Sequence, residues 1–250
     1  MAQPGTQQEV GYQHELCVLF AYHRLCPVTR YHYNLIRQFN PTVPVVPLIP
    51  SLSALGPIGE QHLLPGTVDV SAFESHWDTS DMWLSTDTFL YRWFLNRTIT
   101  ARRYVFMEWD VLCIGSLLEF YAPVEHADVA STNILFWPDK IAPLTDWQWW
   151  IQRDRLLPEH RPIAAGIIPL AGTIIKHDTM VKICKLACQN IWWNVFSELR
   201  LGTLARLASA NMVVNTISRG RVSWAAECIQ VQPYLKCAIF HPVKQITLLV

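Results

Sequence analysis

The sequence predicts an α/β fold: a three-layer sandwich around a mostly parallel central sheet. Three observations carry that prediction. Short apolar runs alternate along the chain with stretches of helical period, the pattern of successive βαβ units. The first run, LCVLFAY (Leu16 to Tyr22), is continuously apolar, as a strand buried on both faces must be. With 250 residues, 51% hydrophobic and only 16% charged, the chain has the length and composition for one large core.

Each element has its own local reason. After the first run, PVTRYHYNLIRQFN places Tyr31, Leu35, Ile36 and Phe39 at helical spacing, and Asn40-Pro41 ends the helix. TVPVVPLIP is extended and β-branched, and its prolines assign it to an edge or a strand end. Together these form a βαβ unit with a right-handed crossover. Leu52 to Ser75, rich in Gly, Pro and small residues, reads as a long loop. Asp81 to Leu95 is expected to be helical, with Met82, Phe89, Trp93 and Phe94 as its apolar stripe and a cap among Asp78, Thr79 and Ser80. YVFMEWD is the next strand, Gly115 to Tyr121 a helix, and ADVASTNI a short strand. AAGIIPLAGTII reads as a strand, HDTMVKICKLACQNIW and SELRLGTLARLASA as helices, and VVNTI and KCAIFHPVK close the chain. No internal repeat interrupts this, so a single domain over 1–250 is expected.

Composition also excludes functions. Lys plus Arg equals Asp plus Glu at 20 each, so the chain offers no basic face for nucleic acid. MAQPGTQQEVGYQHE has neither the basic nor the apolar region of a signal peptide. No run of about 18 apolar residues is present to span a bilayer. The seven scattered cysteines argue for a reducing, cytoplasmic setting, with peripheral membrane contact left open by the many aromatics. Cys184 and Cys188, four apart without a Cys or His partner nearby, read as core filling rather than a zinc site.

The chemistry centres on YVFMEWDVLC, Tyr104 to Cys113. Residues i and i+2 of a strand share a face, so Glu108 and Asp110 would crowd two carboxylates together. Two unpaired buried charges exceed what a marginally stable domain tolerates. They need a cation, a basic partner, or a strand that ends there and opens into a cleft. Ligands in open α/β sheets collect at the carboxyl ends of strands, where such a pair suits a hard divalent ion. An ion pair with Arg102 or Arg103 is the alternative, and the residues alone leave both open.

Glu108-Trp109-Asp110, a strand ending in an acidic residue, one spacer and Asp, resembles the metal-binding DXD-type motif of glycosyltransferases with the GT-A fold, with Glu in place of the first Asp. The resemblance extends through the order of elements along much of the chain. It implies a nucleotide diphosphate sugar donor, expected to be a UDP-sugar, and Mn²⁺ or Mg²⁺ as cofactor. Asp110 would contact the metal, while Glu108 would assist it or bind the ribose. His241 in IFHPVK is similar to the late histidine that completes such metal sites, and Lys244 would meet the diphosphate. Imidazole with carboxylate suits Mn²⁺ better than Ca²⁺. Glu198 in FSELRLGT stands where inverting members carry their general base, with Asp178 as the second candidate. Glu198 is equally explained by the helix dipole and by pairing with Arg200 or Arg206.

His23 after the first strand is a candidate nucleotide contact, Asp81 a candidate uracil or ribose contact, and Arg103 a candidate phosphate contact. Trp147, Trp149, Trp150, Trp192 and Trp193 could stack on sugar rings or fill the core. The resulting expectation is a hexosyltransferase-like enzyme acting on a glycan, lipid-linked or small hydroxyl acceptor, inverting if Glu198 is its base. Residues 16–130 would form the nucleotide half and 131–250 the acceptor half. A sugar nucleotidyltransferase, or a catalytically silent carbohydrate-binding or scaffold protein of the same fold, are the alternatives.

Overall fold

The computed structural model describes residues 11–55, 62–73, 82–137, 148–189, 194–217, 228–229 and 238–246. β1 (His14–Ala21) leads through α1 (Pro27–Phe39) to β2 (Val45–Ile49), and β3 (Val68–Asp69) adds a short edge strand. α2 (Met82–Leu95), β4 (Ala101–Glu108), β5 (Leu112–Ile114), α3 (Leu117–Tyr121), β6 (Val129–Ser131) and β7 (Asn133–Phe136) follow. Then come β8 (Ala165–Ile168), β9 (Thr173–Lys176), α4 (His177–Gln189), α5 (Ser197–Leu207), β10 (Met212–Val214), β11 (Cys228–Ile229), β12 (Ala238–Phe240) and β13 (Gln245–Ile246).

The central sheet has seven strands in the order β3-β2-β1-β4-β9-β6-β10. All its pairings are parallel except those of β9, which runs antiparallel to both β4 and β6. The chain moves from β1 to β2 on one side and then returns to place β4 on the other. The order therefore reverses between β1 and β4, and the crevice of such a sheet opens outside the carboxyl ends of those two strands.

Alternating residues of β4 divide the core into two layers. Tyr104 and Phe106 join the buried residues of α2, α4 and α5, including Phe89, Phe94, Ile183 and Leu204. Val105 and Met107 join those of α1 and α3, including Tyr33, Ile36, Leu117 and Phe120. Helices thus cover both faces, and the expected three-layer sandwich is present. Each fully buried large apolar side chain contributes roughly 1.5–3 kcal/mol. No helix among the described residues is long and apolar enough to cross a membrane.

Three expectations are corrected by local chemistry. AAGIIPLAGTII is two strands, because Pro169 supplies no N–H for a ladder and Gly172 takes φ +79 in the connection to the antiparallel β9. ADVASTNI divides at Thr132 into β6 of the central sheet and β7, which pairs with β8. The loop over Leu52 to Ser75 contains β3, whose Asp69 accepts hydrogen bonds from the amide of Ser71 at 2.8 Å and of Leu52 at 3.0 Å. The cap residues Asp78 to Ser80 lie outside the described residues, and Met82 begins α2.

α5 lies against β8 through Gly202, where a Cβ would stand 2.7 Å from the carbonyl carbon of Ala165. Backbone cannot yield as a flexible side chain can. Gly202→Ala is therefore expected to lower stability by about 1–3 kcal/mol, the usual cost of overpacking. Urea denaturation of the variant checks this, and an unchanged midpoint would contradict so tight a contact.

The amino end of β4 holds a buried histidine. Arg97 donates to His177 Nε2 at 3.1 Å, so the neutral ring carries its proton on Nδ1, 3.0 Å from the Tyr104 hydroxyl. Burial, and then the Arg97 charge, hold the His177 pKa below its ordinary value. The unfolded chain binds that proton more readily, so this contribution to stability is complete above about pH 6.5 and is lost as pH falls further. Between pH 7.5 and 5 the denaturation midpoint should drop more for the wild type than for His177→Gln. Parallel pH profiles would refute the assignment.

Candidate active site at the carboxyl end of the sheet

The two carboxylates avoid crowding one strand because β4 ends at Glu108 and the chain turns. The amide of Val111 donates to the Glu108 carbonyl at 3.0 Å, closing a β-turn with Trp109 and Asp110 at its corners. Glu108 lies in register with Ala21 at the end of β1, so the turn stands at the reversal point of the sheet. β5 then pairs antiparallel with β12, with Phe240 opposite Leu112. One step further along that ladder His241 arrives beside the turn, and the amide of Val243 donates to the Asp110 carbonyl at 2.7 Å.

The result is a cluster of three groups drawn from two distant parts of the chain. His241 Nε2 lies 3.3 Å from Glu108 Oε2 and 3.4 Å from Asp110 Oδ1. Asp110 and His241 are buried and Glu108 is partly exposed. Burial opposes the charge on His241, but hydrogen bonds to Asp110 and Glu108, with their negative charges, outweigh it and raise the imidazole to about 10. Burial likewise opposes charge on Asp110, and the hydrogen bond and charge of His241 prevail to lower that carboxyl.

The donor set fits a divalent ion. One atom from each of the three residues lies within 4.8 Å of the others, and Asp110 Oδ1 is buried with His241 Nε2 3.4 Å away. Two carboxylate oxygens and an imidazole nitrogen suit Mn²⁺ or Mg²⁺ with water and substrate oxygens completing the sphere. Among the described residues this is the one group of three or more His, Cys, Asp or Glu so disposed. Cys184 is buried in the core layer under α4, whereas Cys188 is exposed.

The other expected site residues fall at different distances from this cluster. Lys244, exposed three positions beyond His241, acts electrostatically on Asp110. His23 is exposed beyond the end of β1 and meets the Trp109 ring edge-on, centroids 5.7 Å apart. Arg103 is not brought to the site. It pairs with Leu16 near the amino end of β4 and donates to Glu15 at 2.8 Å, with Arg102 also facing Glu15 at 3.7 Å. Neither arginine shields the carboxylates, because about 16 Å of strand separates Arg103 from Glu108. Asp81 lies outside the described residues, as do the side chains of Trp147, Trp149, Trp150, Trp192 and Trp193. Asp178 lies in the first turn of α4 and accepts a 3.3 Å hydrogen bond from Tyr12.

Glu198 is buried in the first turn of α5. Arg200 and Arg206, the partners considered for Glu198, make other contacts. Arg200 binds the fully buried Asp87 of α2, through Nε at 2.8 Å and through a second, shorter contact, and Tyr91 donates to the same carboxylate at 2.9 Å. Arg206 instead reaches the Trp137 carbonyl at 3.3 Å.

One residue at the site escaped the sequence reading. His32, on the buried face of α1, places Nδ1 2.9 Å from the Trp109 carbonyl. Its signal was available, since His32 is four positions before Ile36 on the apolar stripe, where a polar ring needs a partner.

No protein-family model and no curated protein matches this sequence. Among solved structures, an active-site mutant of LgtC is similar at 12% identity and TM-score 0.44, over 90% of this chain and 86% of that one. The galactosyltransferase LgtC in complex with donor and acceptor sugar analogues gives 10% and 0.41, over 79% and 72%. The bifunctional glycosyltransferase WbbM gives 11% and 0.43, over 81% of this chain and 39% of that one.

Proposed function

We propose that this chain is a metal-dependent glycosyltransferase of the GT-A type, moving a sugar from a nucleotide diphosphate sugar to a hydroxyl acceptor. The observation that supports this most is the meeting of Glu108, Asp110 and His241 at the point where the strand order reverses. Asp110 and His241 would hold a divalent ion, with Glu108 assisting or taking the ribose. A bound Mn²⁺ or Mg²⁺ would neutralise charge developing on the departing diphosphate.

The remaining roles fall to groups around the turn. Lys244, exposed beside Asp110, would bind a diphosphate oxygen, and His23 with Trp109 would line the nucleotide. Glu198 is the proposed base, taking the proton of the attacking acceptor hydroxyl, and inversion follows if it does so. Residues 16–130 would carry the nucleotide and 131–250 the acceptor, whether glycan, lipid-linked or a small molecule.

The deciding experiment is calorimetric titration with UDP, GDP and their sugar conjugates, with and without Mn²⁺. Metal-dependent binding of one nucleotide identifies the donor class. A folded protein that binds none of them in the presence of Mn²⁺ is no such transferase.

A further inference from the structure

The turn that presents the carboxylates has three carbonyls, and each is tied to a different place. The Glu108 carbonyl accepts from Val111 within the turn, and the Asp110 carbonyl accepts from Val243 beside His241. Between them, the Trp109 carbonyl meets His32 from α1. His32 is 0% exposed. A carbonyl can only accept, so Nδ1 carries the ring proton and Nε2 presents a bare lone pair, which is buried and has no hydrogen-bond partner among the described residues.

A ring in that state is a poor choice for packing. An apolar residue of similar volume would fill the space without the stranded Nε2 acceptor, which costs about 1–3 kcal/mol, and would forgo only the contact to the Trp109 carbonyl. What His32 alone adds is one hydrogen bond, to the peptide between the two carboxylate residues. α1 is itself anchored to that region at its other end. Asn40 donates to the Gly115 carbonyl at 3.3 Å and accepts from the amide of Leu117 at 2.7 Å, one contact on each side of the bend after β5.

We propose that His32 is a positioning residue for the acidic turn, holding the Trp109 carbonyl so that Glu108 and Asp110 aim their carboxylates at one point with His241. The inference rests on the metal-dependent reading of this cluster. Bound ions require ligand distances within about 0.2 Å of their preferred values, so small rotations of the two peptide planes matter. Partners that orient ligands from behind in this way typically change metal affinity by about 10–100-fold when removed.

Two variants test it, each read in two ways. His32→Phe removes the donor and keeps the volume, while His32→Asn places an amide Nδ2 near the position of the lost Nδ1. Mn²⁺ affinity is measured by calorimetry, and amide hydrogen exchange over residues 105–115 by mass spectrometry. In His32→Phe the relief of the bare Nε2 and the loss of the Trp109 hydrogen bond should offset, leaving Tm close to that of the wild type, yet exchange in the turn should quicken and Mn²⁺ affinity fall about 10–100-fold. His32→Asn should recover both. Unchanged turn exchange and affinity in His32→Phe overturn the proposal, as does a loss in both variants that follows Tm. A wild type that takes up no Mn²⁺ would sink the metal reading itself, while the exchange comparison would still decide whether His32 holds the turn.

Discussion

Asp110→Ala is expected to abolish Mn²⁺-dependent nucleotide binding and to reduce turnover by about a hundred- to a thousandfold, the scale seen when one charge-stabilising group is removed from an active site. The geometry gives the reason. Asp110 supplies the buried carboxylate of the cluster, with Oδ1 3.4 Å from His241 Nε2, whereas Glu108 is partly exposed. The fold should survive, because Asp110 occupies a turn beyond the end of β4 rather than a ladder position. Glu198→Gln provides the contrast. A lost base leaves donor binding intact and removes turnover, whereas a lost metal ligand removes both. Calorimetry and initial rates on the two variants separate the roles. Metal-dependent binding that persists in Asp110→Ala would return the carboxylate pair to a structural role.

Arg200→Met should be the most destabilising single change outside the site, by about 3–5 kcal/mol, because it leaves the Asp87 carboxylate buried without its cation. Asp87 is 0% exposed and Arg200 3%. The tyrosine hydroxyl of Tyr91 would remain as a donor to Asp87 but brings no charge. Replacing both partners, as Asp87→Leu with Arg200→Met, should recover most of the loss, since a well-packed apolar pair avoids the desolvation of two ions. Urea denaturation of the three proteins measures this. A loss in Arg200→Met no larger than about 1 kcal/mol, the scale of a surface pair, would contradict burial of the charge.

Elements that keep one period along their whole length are legible in the sequence. Period alone places α1, because Tyr33 and Ile36 recur on one stripe that the sheet buries. Continuous apolarity places β1 for the same reason. Where a strand must be divided, as at Pro169 and Gly172, the run of apolar residues looks unbroken and only the missing N–H and the positive φ separate β8 from β9. Direction is likewise invisible locally: nothing in TIIK says that β9 runs antiparallel, since both ladders bury the same apolar residues.

What the sequence determined by itself about this protein is the layered α/β architecture and the acidic turn at the end of β4. Both follow from local rules, the periods of strand and helix and the cost of like charges on one strand face. Only the tertiary structure decided which groups meet there. The antiparallel register of β5 with β12 brings His241 to the carboxylates, α1 carries His32 to the turn, and the amino-end position of Arg103 keeps it away with Glu15. The physical reason is that a charge or an imidazole accepts any suitable partner within reach, and reach is set by strand register and crossover rather than by distance along the chain.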